Sequence, residues 1–264
     1  MALTRPKFTI ITICFNNLED LQKTCLSIEA QTVVPFEHWV INGSTQADIA
    51  QWAAQSPQPA YRKFLHEKDK GISDAMNKGI ARAEGEILHL LHAGDLYAHA
   101  QVLEKVGAAF LANPATQWLS GKMQLHRGGL PVVVGKPFDP QKIYRGMRSV
   151  FHPTWFVRPS VYVQTGTFHL QWKIAMDYDL LCRMPAEGYL FLPEPLVVFD
   201  DQGISTQHYL AAVAENIAVY ESYHGFSFKA RLWAFRLRCL HWLLLTPLGK
   251  WLFAWKKKMG WENV

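Results

Sequence analysis

Apolar positions along this chain switch repeatedly between a strand period and a helix period. Phe8 to Cys14 (F-T-I-I-T-I-C) is a β-branched run suited to a strand buried on both faces. Leu18, Leu21, Leu26 and Ile28 then predict an amphipathic helix, and His38-Trp39-Val40-Ile41 and Tyr61 to His66 predict two further strands. In the stretch from Leu65 to Asp95, Ile72, Ala75, Met76, Gly79, Ile80 and Ala83 recur at helical spacing. Gly71 and Ser73 mark its start and Gly85 its stop. Ile87, Leu88, Leu90 and Leu91 follow as a short buried strand that ends in His92-Ala93-Gly94-Asp95. Val102 to Leu111 predicts a helix stopped by Asn113-Pro114, and Gln117–Leu125 and Leu130–Val134 predict a hairpin around His126-Arg127-Gly128-Gly129. Lys173 to Met184 reads as the opening of a helix, and Tyr189 to Phe199 as a strand region broken at Pro193 and Pro195. The segment leading to Tyr223 predicts one more helix.

Strands alternating with helical segments of about ten to fifteen residues imply right-handed βαβ units and a mostly parallel sheet. In such sheets ligands bind outside the carboxyl ends of the strands. One helix–strand unit therefore carries Asp69, Asp74, Asn77 and Asp95 toward the same edge. Taken singly, each of these residues reads equally as a helix cap, a solvated charge or a turn. The same holds for Cys14-Phe15-Asn16-Asn17, an ordinary strand-to-helix turn in its plain reading. The chain lacks G-x-G-x-x-G and the phosphate-cradling G-x-x-x-x-G-K-[ST]. A dinucleotide fold is thereby disfavoured.

As a whole pattern, Asp69-Lys70-Gly71-Ile72-Ser73-Asp74-Ala75-Met76-Asn77-Lys78-Gly79 resembles a signature of bacterial family 2 glycosyltransferases, and the resemblance runs from about Lys7 to about Thr206. It implies an α/β fold of GT-A type, a Rossmann-like, mostly parallel sheet flanked by helices. It also implies inverting transfer of a sugar from a nucleotide diphosphate donor, a UDP-sugar foremost, to an acceptor hydroxyl. By the same resemblance, Cys14, Phe15 and Asn16 with Asn42, Gly43, Asp69, Gly71, Asp74 and Asn77 hold the donor. Phe151-His152-Pro153-Thr154-Trp155-Phe156-Val157-Arg158 resembles the family's strand before its catalytic helix; there His152 touches diphosphate or acceptor, with a structural histidine as the equal alternative. Asp95 occupies the place of the family's metal-binding acids and implies Mg2+ or Mn2+. In Met176-Asp177-Tyr178-Asp179 the family writes Glu-Asp, which makes Asp177 the general base; Asp179 is left to cap or to pair with Arg183 at i+4. The plain alternative is two acids favouring a helix N-terminus. Asn42 and Gln46 stand where the family carries acids, and an amide adds donors where a carboxylate only accepts. Gly-Ile-Ser-Thr at 203–206 marks the close of the catalytic body.

Composition changes this picture at one end. With 264 residues, 49% of them hydrophobic, one substantial core is expected; the four cysteines show neither C-x-x-C nor metal-ligand spacing, which suits a reduced compartment. The amino terminus leaves no room for a signal peptide, and no run of about eighteen apolar residues occurs. The net charge of +5 hides an asymmetry: from Gly225 onward eight Lys or Arg meet one acid, a balance of +7, so the rest is −2. Five of the ten tryptophans lie in that same tail. The expected organisation is a catalytic domain over 1–224 and a basic, Trp-rich helical tail over 225–264. That tail is suited to an anionic membrane interface on the cytoplasmic face of the cell membrane. A helix packed on the body is its alternative, and without a recognised binding module nucleic acid is not an expected partner. The acceptor is then a saccharide or lipid-linked saccharide of a cell-surface polysaccharide or glycolipid. A catalytically silent nucleotide-sugar-binding or scaffold protein is the rival reading.

Overall fold

The computed structural model describes residues 5–127, 130–147, 150–199 and 208–258. Gly128, Gly129, Arg148, the 200–206 segment with its Gly-Ile-Ser-Thr run, and Trp261 lie outside the described residues.

A nine-stranded sheet in the order β3-β2-β1-β4-β8-β6-β9-β5, with β7 added to β6, forms the centre. Its first half is parallel: β1 (Phe8–Cys14) lies between β2 (Glu37–Asn42) and β4 (Ile87–Leu90), and β3 (Arg62–His66) flanks β2. The β-branched run of β1 is buried along nearly its whole length because helices cover both faces. Register places Cys14 beside Asn42, and Asn42 beside His66, at the carboxyl ends of three adjacent strands. The loops carrying the expected donor residues therefore emerge side by side.

The second half is mixed. The short β8 (Phe156–Val157) runs antiparallel to both β4 and β6 (Trp118–Arg127), and β9 (Tyr189–Val198) runs parallel to β6. The hairpin partner of β6 is β7 (Leu130–Val134), and β5 (Leu96–Tyr97) closes the edge against β9. Two expectations are corrected here. Pro193 and Pro195 do not break β9; the strand continues past them, with register shifts against Gly121, Lys122 and Met123 that place Pro195 at an irregularity. The segment from Phe151 to Arg158 is only in part a strand, because Pro153 sits in a 3₁₀ turn, His152–Thr154, ahead of β8.

Helices α1 (Leu18–Glu29), α2 (Asp48–Gln55), α3 (Ile72–Ile80) and α4 (Val102–Ala112) serve the parallel half, and α5 (Pro159–Thr165) and α6 (Met176–Arg183) the mixed half. On one face of the sheet Met76 of α3 shares a core cluster with Leu88, Leu90, Trp118, Trp155, Phe168 and Met176; on the other, Phe8, Ile87 and Leu91 share one with Val102, Val106 and Phe110 of α4. The small apolar face of α3 is required for this fit. A methyl on Gly79 would sit 2.3 Å from the Ile11 side chain.

The chain continues as α7 (Tyr209–His224), α8 (Phe228–Leu245) and α9 (Pro247–Lys258). Ser227 caps α8 by accepting from Ala230 N, and Pro247 opens the last helix. Gly249 does not break that helix. Among the described residues no helix is long and apolar enough to cross a membrane.

Candidate active site

The donor side is built from the ends of β1, β2 and β3 and the start of α3. Asn16 adopts φ 53°, the left-handed region, and braces two loops: its backbone N donates to Ser44 Oγ, and its Oδ1 accepts from Thr45 N and Gln46 N. Asn42 is buried, with Oδ1 accepting from Ser44 N and Nδ2 set against His66 Nδ1, each at 2.9 Å. Burial, reinforced by the neighbouring Cys25, Asp48 and Asp69, pushes the Cys14 thiol up to about 12, so it stays protonated. Asp69 turns back over Gly43 and accepts from Gly71 N at 2.9 Å; a β-carbon at Gly43 would fall 1.7 Å from its Oδ2. Gly43 is thus glycine because a carboxylate lies on it. Gly71 has φ 121°, open to glycine, and delivers the chain into α3. Asp74 accepts from Lys70 N and pairs with Lys78, and the former holds its carboxyl below the usual range. Phe15 is exposed at the lip of this row.

Not every expected donor residue is open to a ligand. The Asn77 amide is engaged at both ends: Nδ2 donates to Phe168 O at 2.8 Å, and Oδ1 accepts from Phe168 N at 3.0 Å. In this structure it clamps α3 to the segment before α6. His152 is buried, with its ring 5.2 Å from Trp155, 5.5 Å from Phe168 and 5.6 Å from His92. Desolvation holds it well below the ordinary histidine value, and the same cause lowers His92 to about 4, so both imidazoles are neutral. His92 Nε2 and Trp155 Nε1 are buried without a hydrogen-bond partner beside them.

The base side is anchored by residues that no local motif announces. Met176 starts α6 without a side-chain cap of its own. Glu215 of α7 supplies one from a distance: its carboxylate accepts from the backbone N of Lys173, Ile174 and Ala175 at 2.8–3.3 Å. Asp177 follows in the first turn, its Oδ1 on Tyr178 N at 2.8 Å, and burial raises its carboxyl from 3.8 to about 6. Desolvation prevails over the backbone hydrogen bonds that oppose it. Asp179 is fully buried and points elsewhere. Its Oδ2 takes Arg183 Nη2 at 2.7 Å and His169 Nδ1 at 3.0 Å, and its Oδ1 takes Trp172 Nε1 and Tyr223 Oη. Two acids two positions apart thus divide their roles, one anchoring the helix and one left at its start.

A divalent cation suits this site only in company. Among the described residues no three His, Cys, Asp or Glu side chains gather as a metal cage. Asp95, 4% exposed in the turn after β4, supplies one carboxylate. Mg2+ is commonly held by one or two carboxylates together with substrate phosphates, so this donor set fits an ion that arrives with a diphosphate.

The 3₁₀ turn Pro140–Arg145 and the tail meet beside α6. Tyr178 Oη donates to Ile143 O in the 3₁₀ turn Pro140–Arg145, and Trp233 Nε1 of α8 donates to Arg145 O. The Arg145 guanidinium lies over the Trp233 ring at 5.1 Å. Lys142 pairs with Asp139. Ala230 and Ala234 are buried, and Arg231 grips Glu221 through two nitrogens. The inner face of α8 is therefore docked on the body, and Trp233 faces protein.

Residues 9–123 match the family described as Glycosyl transferase family 2. That part of the chain is similar to family 2 glycosyltransferases, and the fold is of GT-A type. An uncharacterized glycosyltransferase of Mycobacterium tuberculosis is 28% identical over 267 residues, covering 98% of this chain and 96% of its own. S. aureus TarS 1-349, solved in complex with UDP-GlcNAc, matches with a TM-score of 0.61 at 16% identity over 81% of this chain. The chain spans 66% of that fragment and 39% of a longer TarS chain. The mannosyltransferase PcManGT from Pyrobaculum calidifontis, in complex with GDP-Man and Mn2+, matches with a TM-score of 0.57 at 18% identity, over 98% of this chain and 88% of its own. The family match spans the donor side through Asp95; Asp177 and its Glu215 brace lie beyond it.

Proposed function

We propose that this protein is an inverting glycosyltransferase that moves a sugar from a nucleoside diphosphate donor, a UDP-sugar foremost, to a saccharide or lipid-linked saccharide. The observation that carries the reading is Asp177: a carboxyl poised at about 6, held at the start of a helix that is capped from outside and clamped to the donor side. Its ionised form at neutral pH takes the proton of the acceptor hydroxyl as that oxygen attacks the anomeric carbon. The diphosphate departs from the opposite face, and a single displacement inverts the configuration. The register row Cys14, Asn42 and His66 is assigned to the base and ribose, and Asp69, Asp74 and Gly71 shape the loop beside them. Asp95 is the residue that would hold Mg2+ or Mn2+, which on binding neutralises the leaving group's charge.

The tail supports a place at the cytoplasmic face of an anionic membrane, in assembly of a cell-surface polysaccharide or glycolipid. Trp242, Trp251 and Phe235 are 61%, 63% and 63% exposed, and Leu245 and Leu248 are exposed beside them. The segment from Gly225 carries a balance of +7. Exposed tryptophan with clustered lysine and arginine suits the headgroup region of a bilayer.

The test is a panel of nucleotide sugars scored by thermal stabilisation with and without Mn2+, followed by transfer assays on the binders. One donor should stabilise the protein in a metal-dependent way and be turned over with inversion at the anomeric carbon. Binding without turnover across a broad acceptor set would favour the silent binder instead, and retention of configuration would remove Asp177 as the base.

A further inference from the structure

We infer that His66 is a nucleobase contact that presents its Nε2–H to a carbonyl oxygen of the donor's base, and that Asn42 holds it in that state. The inference rests on the donor reading given above. Cys14, Asn42 and His66 form one register row across the carboxyl ends of β1, β2 and β3, the edge where open α/β sheets take their ligands. Within the row the polarity is fixed residue by residue. Ser44 N donates to Asn42 Oδ1 at 2.9 Å, so the amide's nitrogen is the end that faces His66 Nδ1, also at 2.9 Å. An amide NH2 only donates, so His66 Nδ1 must accept, and the ring hydrogen resides on Nε2. The imidazole is held flat against Phe64, with ring centroids 5.8 Å apart and planes 7° from parallel, and it is exposed at the strand end.

A carboxylate at position 42 would accept and never donate; it would hold the hydrogen on His66 Nδ1 and leave Nε2 as an acceptor. Asparagine reverses both. The row then offers a donor to the base in place of an acceptor. Uracil, thymine and guanine carry an exocyclic carbonyl that can receive it, and adenine carries an amino group there instead. The ligand class that fits is a nucleoside diphosphate with an oxo base.

The experiment uses the full chain with Mn2+. Nitrogen-detected NMR of the histidine rings should show His66 as the Nε2–H tautomer in the free protein, and Asn42→Asp should move the hydrogen to Nδ1. Calorimetry with UDP, GDP and ADP should show at least one oxo-base nucleotide bound about tenfold more tightly than ADP, the scale of one hydrogen bond. His66→Phe keeps a ring on Phe64 but removes the donor and should bring that ratio to within about twofold. An Nδ1–H tautomer in the wild type, or an unchanged ratio in His66→Phe, overturns the inference. If the wild-type protein binds none of the three nucleotides, the donor reading falls and this inference with it. The tautomer measurement on the wild type stands even if His66→Phe fails to fold.

Discussion

Replacing Asp177 by Asn should stabilise the protein while it removes turnover, and the size of both effects follows from one environment. Burial raises the Asp177 carboxyl from 3.8 to about 6. A group whose folded value lies above its unfolded value favours the protonated folded state. Its contribution is fully present below about 4 and is lost as pH rises through about 6, so at neutral pH the ionised side chain works against the fold. At 1.36 kcal/mol per unit, a shift of about two units corresponds to roughly 3 kcal/mol as an upper bound. Asn keeps the shape, its amide oxygen can still accept from Tyr178 N, and it carries no charge to desolvate. At pH 7.5 Asp177→Asn should therefore melt higher, by about 2 to 8 °C for a stability gain of roughly 1–2 kcal/mol in a domain of this size. At pH 4 the difference should shrink toward zero. Turnover should fall by about 10²–10⁴, the usual range for loss of a general base. The wild-type kcat should rise with pH through about 6 and level off above it. The measurements are thermal melts of both proteins at two pH values and a pH–rate profile. A variant less stable than wild type at pH 7.5, or a wild-type rate flat from pH 5 to 8, would refute the reasoning.

Gly43→Ala should weaken donor binding by about tenfold or more with little change in melting temperature, because the new methyl displaces the flexible Asp69 carboxylate, 1.7 Å away, from Gly71 N; calorimetry with the identified nucleotide reads it. Glu215→Gln should lower kcat with the donor KM unchanged, since Glu215 positions the base helix through three backbone N–H groups and touches nothing on the donor row. Equal losses in kcat and donor affinity would point to general unfolding of that region. Trp242→Ser with Trp251→Ser should release the protein from anionic vesicles without moving its melting temperature, whereas deletion from Phe226 onward should lower it, because Ala230, Trp233 and Ala234 pack on the body. Vesicle binding that survives the double replacement would move the membrane contact elsewhere.

What was legible in the sequence and what was not divides along physical lines. The parallel strands and α3 were readable because their apolar periods are local, and the loop from Asp69 to Gly71 was readable because a short carboxylate–glycine turn is encoded by adjacent residues. Pro193 and Pro195 misled, since an irregular register between β9 and β6 accommodates prolines that a regular ladder would reject. The cap on α6 could not be read at all: Glu215 lies about forty residues downstream, in a helix whose sequence gives no hint of what its acid will face. The tail shows the same limit in another form. Its composition predicts an interface, but composition does not say which side of a helix faces which medium. Tertiary packing divides the tryptophans, with Trp233 held by Arg145 of the 140–145 turn and Trp242 and Trp251 turned outward. That turn also receives Tyr178 Oη, one residue from Asp177. The inner face of α8 thus touches the loop that touches the base helix, while its outer face is free to meet a bilayer. A membrane contact made by the outer face would hold the 140–145 turn, and with it the start of α6, at the height of a lipid headgroup.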